Sequence, residues 1–208
     1  VAKRAPELLG RSVPRLVSCH LGAGASVCAV AGGRSVDTSM GFTTVDGLVM
    51  ATRSGAVDPG LMLWLQTEGE LTAAEVSEGI SHQSGLLGLS EKSSDLREVL
   101  AGLESGDERC RLAFDVYVYR LAGQIAQMAA ALGGLDAIAF TGGVGEHSAP
   151  LRAAAGARLG WLGVVLDAKS NESAEGVVSA SDAAVSVCVI PSREDLTMSA
   201  QARELLGK

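Results

Sequence analysis

His20-Leu21-Gly22-Ala23-Gly24-Ala25-Ser26 follows the apolar run Leu16 to Cys19, and Thr141-Gly142-Gly143-Val144-Gly145-Glu146-His147 follows Leu135 to Phe140. Both read as strand ends opening into glycine turns. Glycine lacks a Cβ, so its backbone reaches positive φ and its N–H groups approach an anion closely, which is how glycine-rich strand ends hold phosphates. Taken singly each turn is weak evidence, because glycine after a strand is more often an ordinary turn.

Other residues could complete phosphate chemistry. Ser35 to Gly55 is rich in hydroxyls, glycines and acids, with Arg53 near its end. A guanidinium fork matches phosphate oxygens and stays protonated, so Arg53 could neutralise charge on a transferring phosphoryl group. A solvated surface arginine is the competing reading. Asp95, in Asp95-Leu96-Arg97, is first a helix N-cap and second a nucleotide contact. Glu194, after Pro191-Ser192-Arg193, could hold Mg²⁺ as a hard carboxylate ligand or be a first-turn acid favoured by the helix dipole. His20 could donate to a phosphate oxygen or be a packed structural histidine.

These residues need elements to place them. Leu8 and Leu9 end an opening helix at Gly10. Leu16 to Cys19, Ser26 to Ala31 and Arg34 to Thr38 are three short strands with antiparallel links, the last two joined by Gly32-Gly33 as a tight hairpin. Pro59 starts a helix with Leu61 to Gln66 as its body, and Thr72 with Glu75 forms a capping signal for another over Thr72 to Ile80. Gly85 to Gly88 reads as a chain break. Phe114, Val118, Leu121, Ile125, Met128 and Leu132 recur at steps of four and three, predicting a long helix from Asp107 to Leu132. Its apolar stripe is core packing first and a subunit interface second. Leu135 to Phe140 is a strand covered on both faces. A helix over Ala149 to Gly160, a strand over Val164 to Leu166, a polar stretch from Asn171 to Asp182, a strand over Val185 to Ile190 and a helix after Pro191 complete the chain.

The sequence has 208 residues, 47% hydrophobic and 20% charged, enough apolar material for one well-buried core. A net charge of -7 argues against a nucleic-acid or anionic-membrane surface, since those partners need clustered Lys and Arg. Cys19, Cys28, Cys110 and Cys188 form no C-x-x-C pair, so they read as reduced core thiols rather than a zinc site or disulfide framework. No run is long enough to cross a bilayer and the first ten residues lack a signal peptide's apolar centre, so a cytoplasmic location is expected.

Taken together the segments resemble the carboxy-terminal half of the acetokinase family, within the sugar-kinase, heat-shock and actin superfamily. The family's His-Leu-Gly-Asn-Gly is similar to His20 to Gly24, and its Ser-Val-Asp-Thr-Ser-Met-Gly-Phe-Thr to Ser35 to Thr43. Its Thr-Arg-Ser-Gly matches Thr52 to Gly55, and its Ser-Gly-Leu-Leu-Gly and Asp-x-Arg match Ser84 to Gly88 and Asp95 to Arg97. Phe-Thr-Gly-Gly-Ile-Gly-Glu-Asn matches Phe140 to His147, and Pro-Thr-Asn-Glu-Glu-Leu matches Pro191 to Leu196. Ala23 and His147 each replace an asparagine, removing an amide side chain from both turns.

The resemblance implies an α/β fold of the RNase H-like, actin-type class, with a mixed five-stranded sheet flanked by helices, residues 1–208 being its carboxy-terminal nucleotide-binding domain. It implies that His20, Leu21, Gly22, Ala23, Gly24, Asp95, Leu96, Arg97, Gly143, Val144, Gly145, Glu146 and His147 contact ATP. Arg53 is then the transition-state stabiliser and Glu194 the Mg²⁺ ligand. The implied activity is reversible phosphorylation of acetate by ATP to ADP and acetyl phosphate, in a homodimer joined through this half. Propionate or butyrate as acceptor, or a non-catalytic nucleotide-binding or interaction module, are the alternatives. Family members also carry an amino-terminal domain with acyl-binding and catalytic groups and a Phe-His-Gly-Thr-Ser-His segment, which this sequence does not include. Phosphoryl transfer is mostly positioning and electrostatic stabilisation, so these residues alone are expected to bind nucleotide weakly and not to turn over.

Overall fold

A computed structural model describes residues 1–207, apart from the side chains of Glu194 and Thr197. Its centre is a mixed sheet. β1 (Arg15–Leu21), β2 (Ala25–Ala31) and β3 (Arg34–Thr38) form the expected antiparallel meander. β4 (Ala137–Thr141), β5 (Gly176–Val177) and β6 (Ser186–Val189) complete the order β3-β2-β1-β4-β6-β5, with β1, β4 and β6 mutually parallel. Five strands of four or more residues carry the sheet, and the two-residue β5 adds an antiparallel edge.

The longest helix follows the predicted stripe. Among the helices, α1 (Arg4–Leu9), α2 (Pro59–Thr67), α3 (Ala73–His82), α4 (Gly85–Ser90) and α5 (Leu96–Glu104) precede α6 (Glu108–Ala131). Asp107 caps α6 by accepting from the backbone N–H groups of Arg109 and Cys110 at 2.9 and 3.1 Å. Phe114, Val118, Leu121, Ile125 and Met128 of α6 pack with Val17, Cys19 and Leu21 on one face of the sheet. On the other face Leu16, Ala137, Ala139 and Cys188 form a smaller cluster with Ala5 of α1. The Thr72 and Glu75 capping box forms as expected, and no described helix is long and apolar enough to cross a membrane.

Two expectations change. Gly85 to Gly88 is not a break but the body of α4, whose early N–H groups donate to loop carbonyls, Leu86 to Met50 at 2.9 Å and Leu87 to Ala51 at 3.0 Å. A helix needs partners for its first N–H groups, and here a distant loop supplies them. Val164 to Leu166 makes no strand, only two single bridges of opposite sense, to Val185 and Ser179.

One residue ties the starts of the parallel strands together. Asp136, just before β4, accepts from the Arg15 backbone N–H at 2.9 Å and from the Arg15 guanidinium at 2.5 Å. Its own backbone carbonyl accepts from Ser186 N–H at 3.1 Å, at the start of β6. The Arg15 side-chain hydrogen bonds hold the Asp136 carboxyl below the usual carboxylate range. Its contribution is therefore fully present above the unfolded value of about 4 and lost as pH falls through the lower folded value. Thermal melts between pH 2 and 6 should show a steeper acid limb for the native chain than for Asp136→Asn.

Candidate functional site

The sheet sends both glycine turns out from one edge. β1 and β4 are paired with His20 opposite Thr141, so Gly22 to Gly24 and the residues after Thr141 leave side by side. The first turn is a tight connection in which Gly22 N–H donates to the Gly24 carbonyl at 2.9 Å. The second is not a loop but a six-residue helix, α7 (Gly142–His147), followed by α8 (Ala149–Arg158). Gly142 makes this possible: its φ is +79° and a Cβ there would lie 2.6 Å from the Leu21 carbonyl oxygen. Only glycine meets both demands.

Between the turns and the start of α5 lies a cavity of about 600 Å³. Gly22 and Ala23 form one wall, Asp95, Leu96 and Arg97 another, and Gly143, Val144 and His147 a third. Three segments far apart in sequence thus meet around one space. Ala51 also lines it, its N–H donating to the Ala23 carbonyl at 3.1 Å, and Tyr117 of α6 contributes an aromatic surface. The sequence stripe of α6 passed over Tyr117, although it lies one turn from Phe114 and Leu121.

Asp95 plays its predicted capping part while lining this cavity. Its Oδ1 accepts from Arg97 N–H at 2.9 Å and its Oδ2 from the Arg97 guanidinium at 2.5 Å. Hydrogen bonds from the Arg97 side chain, then its backbone, hold the Asp95 carboxyl down at about 2. The carboxylate is thus ionised throughout the neutral range and already engaged by its neighbour.

Other predicted residues are placed differently. Leu21 is buried in the core beside α6, and His20, on the alternate face of β1, lines a second cavity of about 600 Å³ with Ser18, Thr141, Ser192 and Arg193. The period-two alternation of a strand sends them to opposite sides. Gly24 faces Arg53, whose Nη1 would lie 3.4 Å from a Cβ at that position. Arg53 is half-buried outside the first cavity, donating to the Thr44 carbonyl at 3.2 Å, and among the described residues no carboxylate pairs with it. Glu146 does not line the first cavity; its Oε1 accepts from both Gly142 N–H and Ser192 N–H at 2.8 Å. Gly145 is buried, its carbonyl accepting from Arg152 at 2.8 Å. The Glu194 side chain lies outside the described residues, while its backbone begins α9 (Glu194–Leu205). Among the described residues no group of three or more His, Cys, Asp or Glu side chains could hold a metal.

The fold is an α/β domain of the kind found in solved acyl kinases. The chain belongs to the acetokinase family, whose profile matches residues 1–200. It is 46% identical over 198 residues to the acetate kinase of Gloeobacter violaceus, covering 93% of this chain and 49% of that protein. The crystal structure of Porphyromonas gingivalis acetate kinase superposes with a TM-score of 0.93 at 40% identity, over 99% of this chain and 53% of that one. A propionate kinase from Francisella tularensis superposes with a TM-score of 0.89 at 34% identity, over 95% of this chain and 51% of that one. The chain spans about half the length of the curated relatives it matches.

The geometry of the second turn is testable. Gly142→Ala should lower stability by about 1–3 kcal/mol in urea denaturation, the scale of a strained backbone position. Gly143, where a Cβ meets nothing within 4 Å, should accept alanine with a change under about 0.5 kcal/mol.

Proposed function

We propose that this chain is the carboxy-terminal nucleotide-binding domain of an acetokinase-type phosphotransferase, which in the complete protein phosphorylates acetate reversibly with ATP. The observation that carries this reading is the meeting of Gly22-Ala23, Asp95 to Arg97, and Gly143, Val144 and His147 around one cavity. Its largely apolar interior suits a nucleoside, with polar groups at the rim to fix orientation. Gly22 to Gly24 would approach the phosphates, and Arg53, beside Gly24 and free of a described carboxylate, would spread charge in the transition state.

In the forward reaction an acetate oxygen attacks the γ-phosphorus in line. The new P–O bond forms as the bond to the ADP oxygen breaks, so no proton is needed from the chain. Mg²⁺ would need only one or two protein carboxylates, as is common for that cation in phosphoryl-transfer sites. Glu194 would be that carboxylate, and the cation would neutralise charge across the phosphates. Ala23 and His147 face the cavity where the family has asparagines, so this domain would meet the nucleotide with a methyl group and an imidazole.

A homodimer formed through this half is supported by α2. That helix has no buried residue, while Leu63 and Trp64 are 66% and 55% exposed. Small-molecule substrates rather than nucleic acid or membrane remain the proposed partners, in keeping with the acidic balance of the chain. The likeness to a propionate kinase makes propionate the competing acceptor, and acetate against propionate kinetics on the complete protein would separate the two.

Calorimetry should detect ATP binding to this chain with Mg²⁺ present, while an acyl phosphate assay detects no turnover. Robust turnover by the chain alone would overturn its assignment as a half-site. Within a complete protein, Arg53→Ala should lower phosphoryl transfer by about 10³-fold, the lower range for an arginine acting on a transferring phosphoryl group. ATP affinity should change little. Trp64→Glu should shift the complete protein from dimer to monomer in light scattering; an unchanged dimer would place the interface elsewhere.

A further inference from the structure

Among the described residues Arg152 is the largest side chain that is almost fully buried, at 1% exposure, and it lies in α8 outside the proposed nucleotide cavity. All its donors are engaged. Nη1 donates to the Gly145 and Glu146 carbonyls at 2.8 Å each, Nη2 to the Asn171 and Ser173 carbonyls, and Nε to Asn171 Oδ1 at 2.9 Å. Asn171, 4% exposed, in turn donates from Nδ2 to the Ala149 carbonyl at 2.9 Å. Among the described residues no carboxylate forms an ion pair with the guanidinium; carbonyl dipoles surround it instead.

Gly145 and Glu146 stand in the last turn of α7, where helix carbonyls have no partner within the helix. A cation is favoured there by the helix dipole, and the planar fork of arginine can bind several carbonyls at once. Three of the six residues of α7 are glycine, so the helix has little intrinsic propensity to hold its own shape. Gly143, Val144 and His147 of the same helix line the cavity.

We propose that Arg152 is a positioning residue for the nucleotide site: it fastens the C-terminal carbonyls of α7 to the 171–173 segment and so fixes the wall formed by Gly143, Val144 and His147. The assignment rests on the nucleotide reading of that cavity. Arg152 touches no ligand in this scheme. It acts through α7, and Asn171 anchors it from behind.

The test compares Arg152→Met and Arg152→Lys in this chain by ATP calorimetry and by backbone hydrogen exchange. Methionine retains comparable bulk but donates nothing, whereas the lysine ammonium can still reach the Gly145 and Glu146 carbonyls. Arg152→Met should weaken ATP binding by about tenfold, on the scale of one lost charge-assisted hydrogen bond, and speed exchange at residues 142–147 while β1 and β4 stay protected. Arg152→Lys should recover most of the affinity. Equal affinities for the two variants, or native affinity and native exchange in Arg152→Met, would overturn the proposal. If Arg152→Met does not fold, Asn171→Ala removes one anchor instead; faster exchange at 142–147 with weakened ATP binding supports the proposal, and native behaviour in both overturns it. If the native chain binds no ATP, the nucleotide reading fails, and exchange at 142–147 in the variants still decides whether Arg152 fixes α7.

Discussion

The parallel pairing of β1 with β4 is the constraint on which the site depends. In that register Leu16 stands opposite Ala137 and His20 opposite Thr141, so both strands end together and both glycine segments emerge from one edge. The other end is held by Asp136, which links the starts of β1 and β6 through Arg15 and Ser186. Parallel strands lack the short turn that aligns a hairpin, so their register must come from contacts of this kind and from side-chain packing. A slip of one residue would turn Cys19 and Leu21 out of the α6 core and bring His20 into it.

The same strand end separates two environments. Cys19 and Leu21 face the main core, whereas Ser18 and His20 face the second cavity. Thr141 lines that second cavity and Gly143, two residues later, lines the first. The left-handed Gly142 is where the chain changes sides. A ligand extending from the first cavity toward Arg53 would therefore cross the first turn, and one reaching His20 would have to pass over the strand ends.

What could be read from sequence follows the range of the interactions involved. α6 was legible because Asp107 and the apolar stripe are local signals, and α3 because Thr72 and Glu75 lie within one turn. The conversion of Gly85 to Gly88 and Gly142 to His147 into helices was not legible. Their supporting groups, the Met50 and Ala51 carbonyls for one and Ser192 and Arg152 for the other, come from elsewhere in the chain. His20 was a nearer miss, since its alternation with Cys19 and Leu21 already places it on the other face. Arg152 gave no local sign beyond being an arginine among alanines, because Asn171 lies nineteen residues away.

Glu146 changes meaning most when the contacts are considered together. In sequence it is an acid in a glycine turn, a natural candidate for touching a ligand. In the fold one carboxylate oxygen receives the N–H of Gly142, at the start of α7, and the N–H of Ser192, two residues before α9 begins. Arg152 holds the last turn of the same helix. A helix this short and glycine-rich is not stable by itself, so its position is set by these contacts at its two ends. Because Glu146 also binds the 192 backbone, a displacement of the cavity wall would pull on the segment leading to Glu194. The wall formed by α7 and the backbone segment that leads into α9 are therefore linked through Glu146, a residue that lines neither of the two cavities.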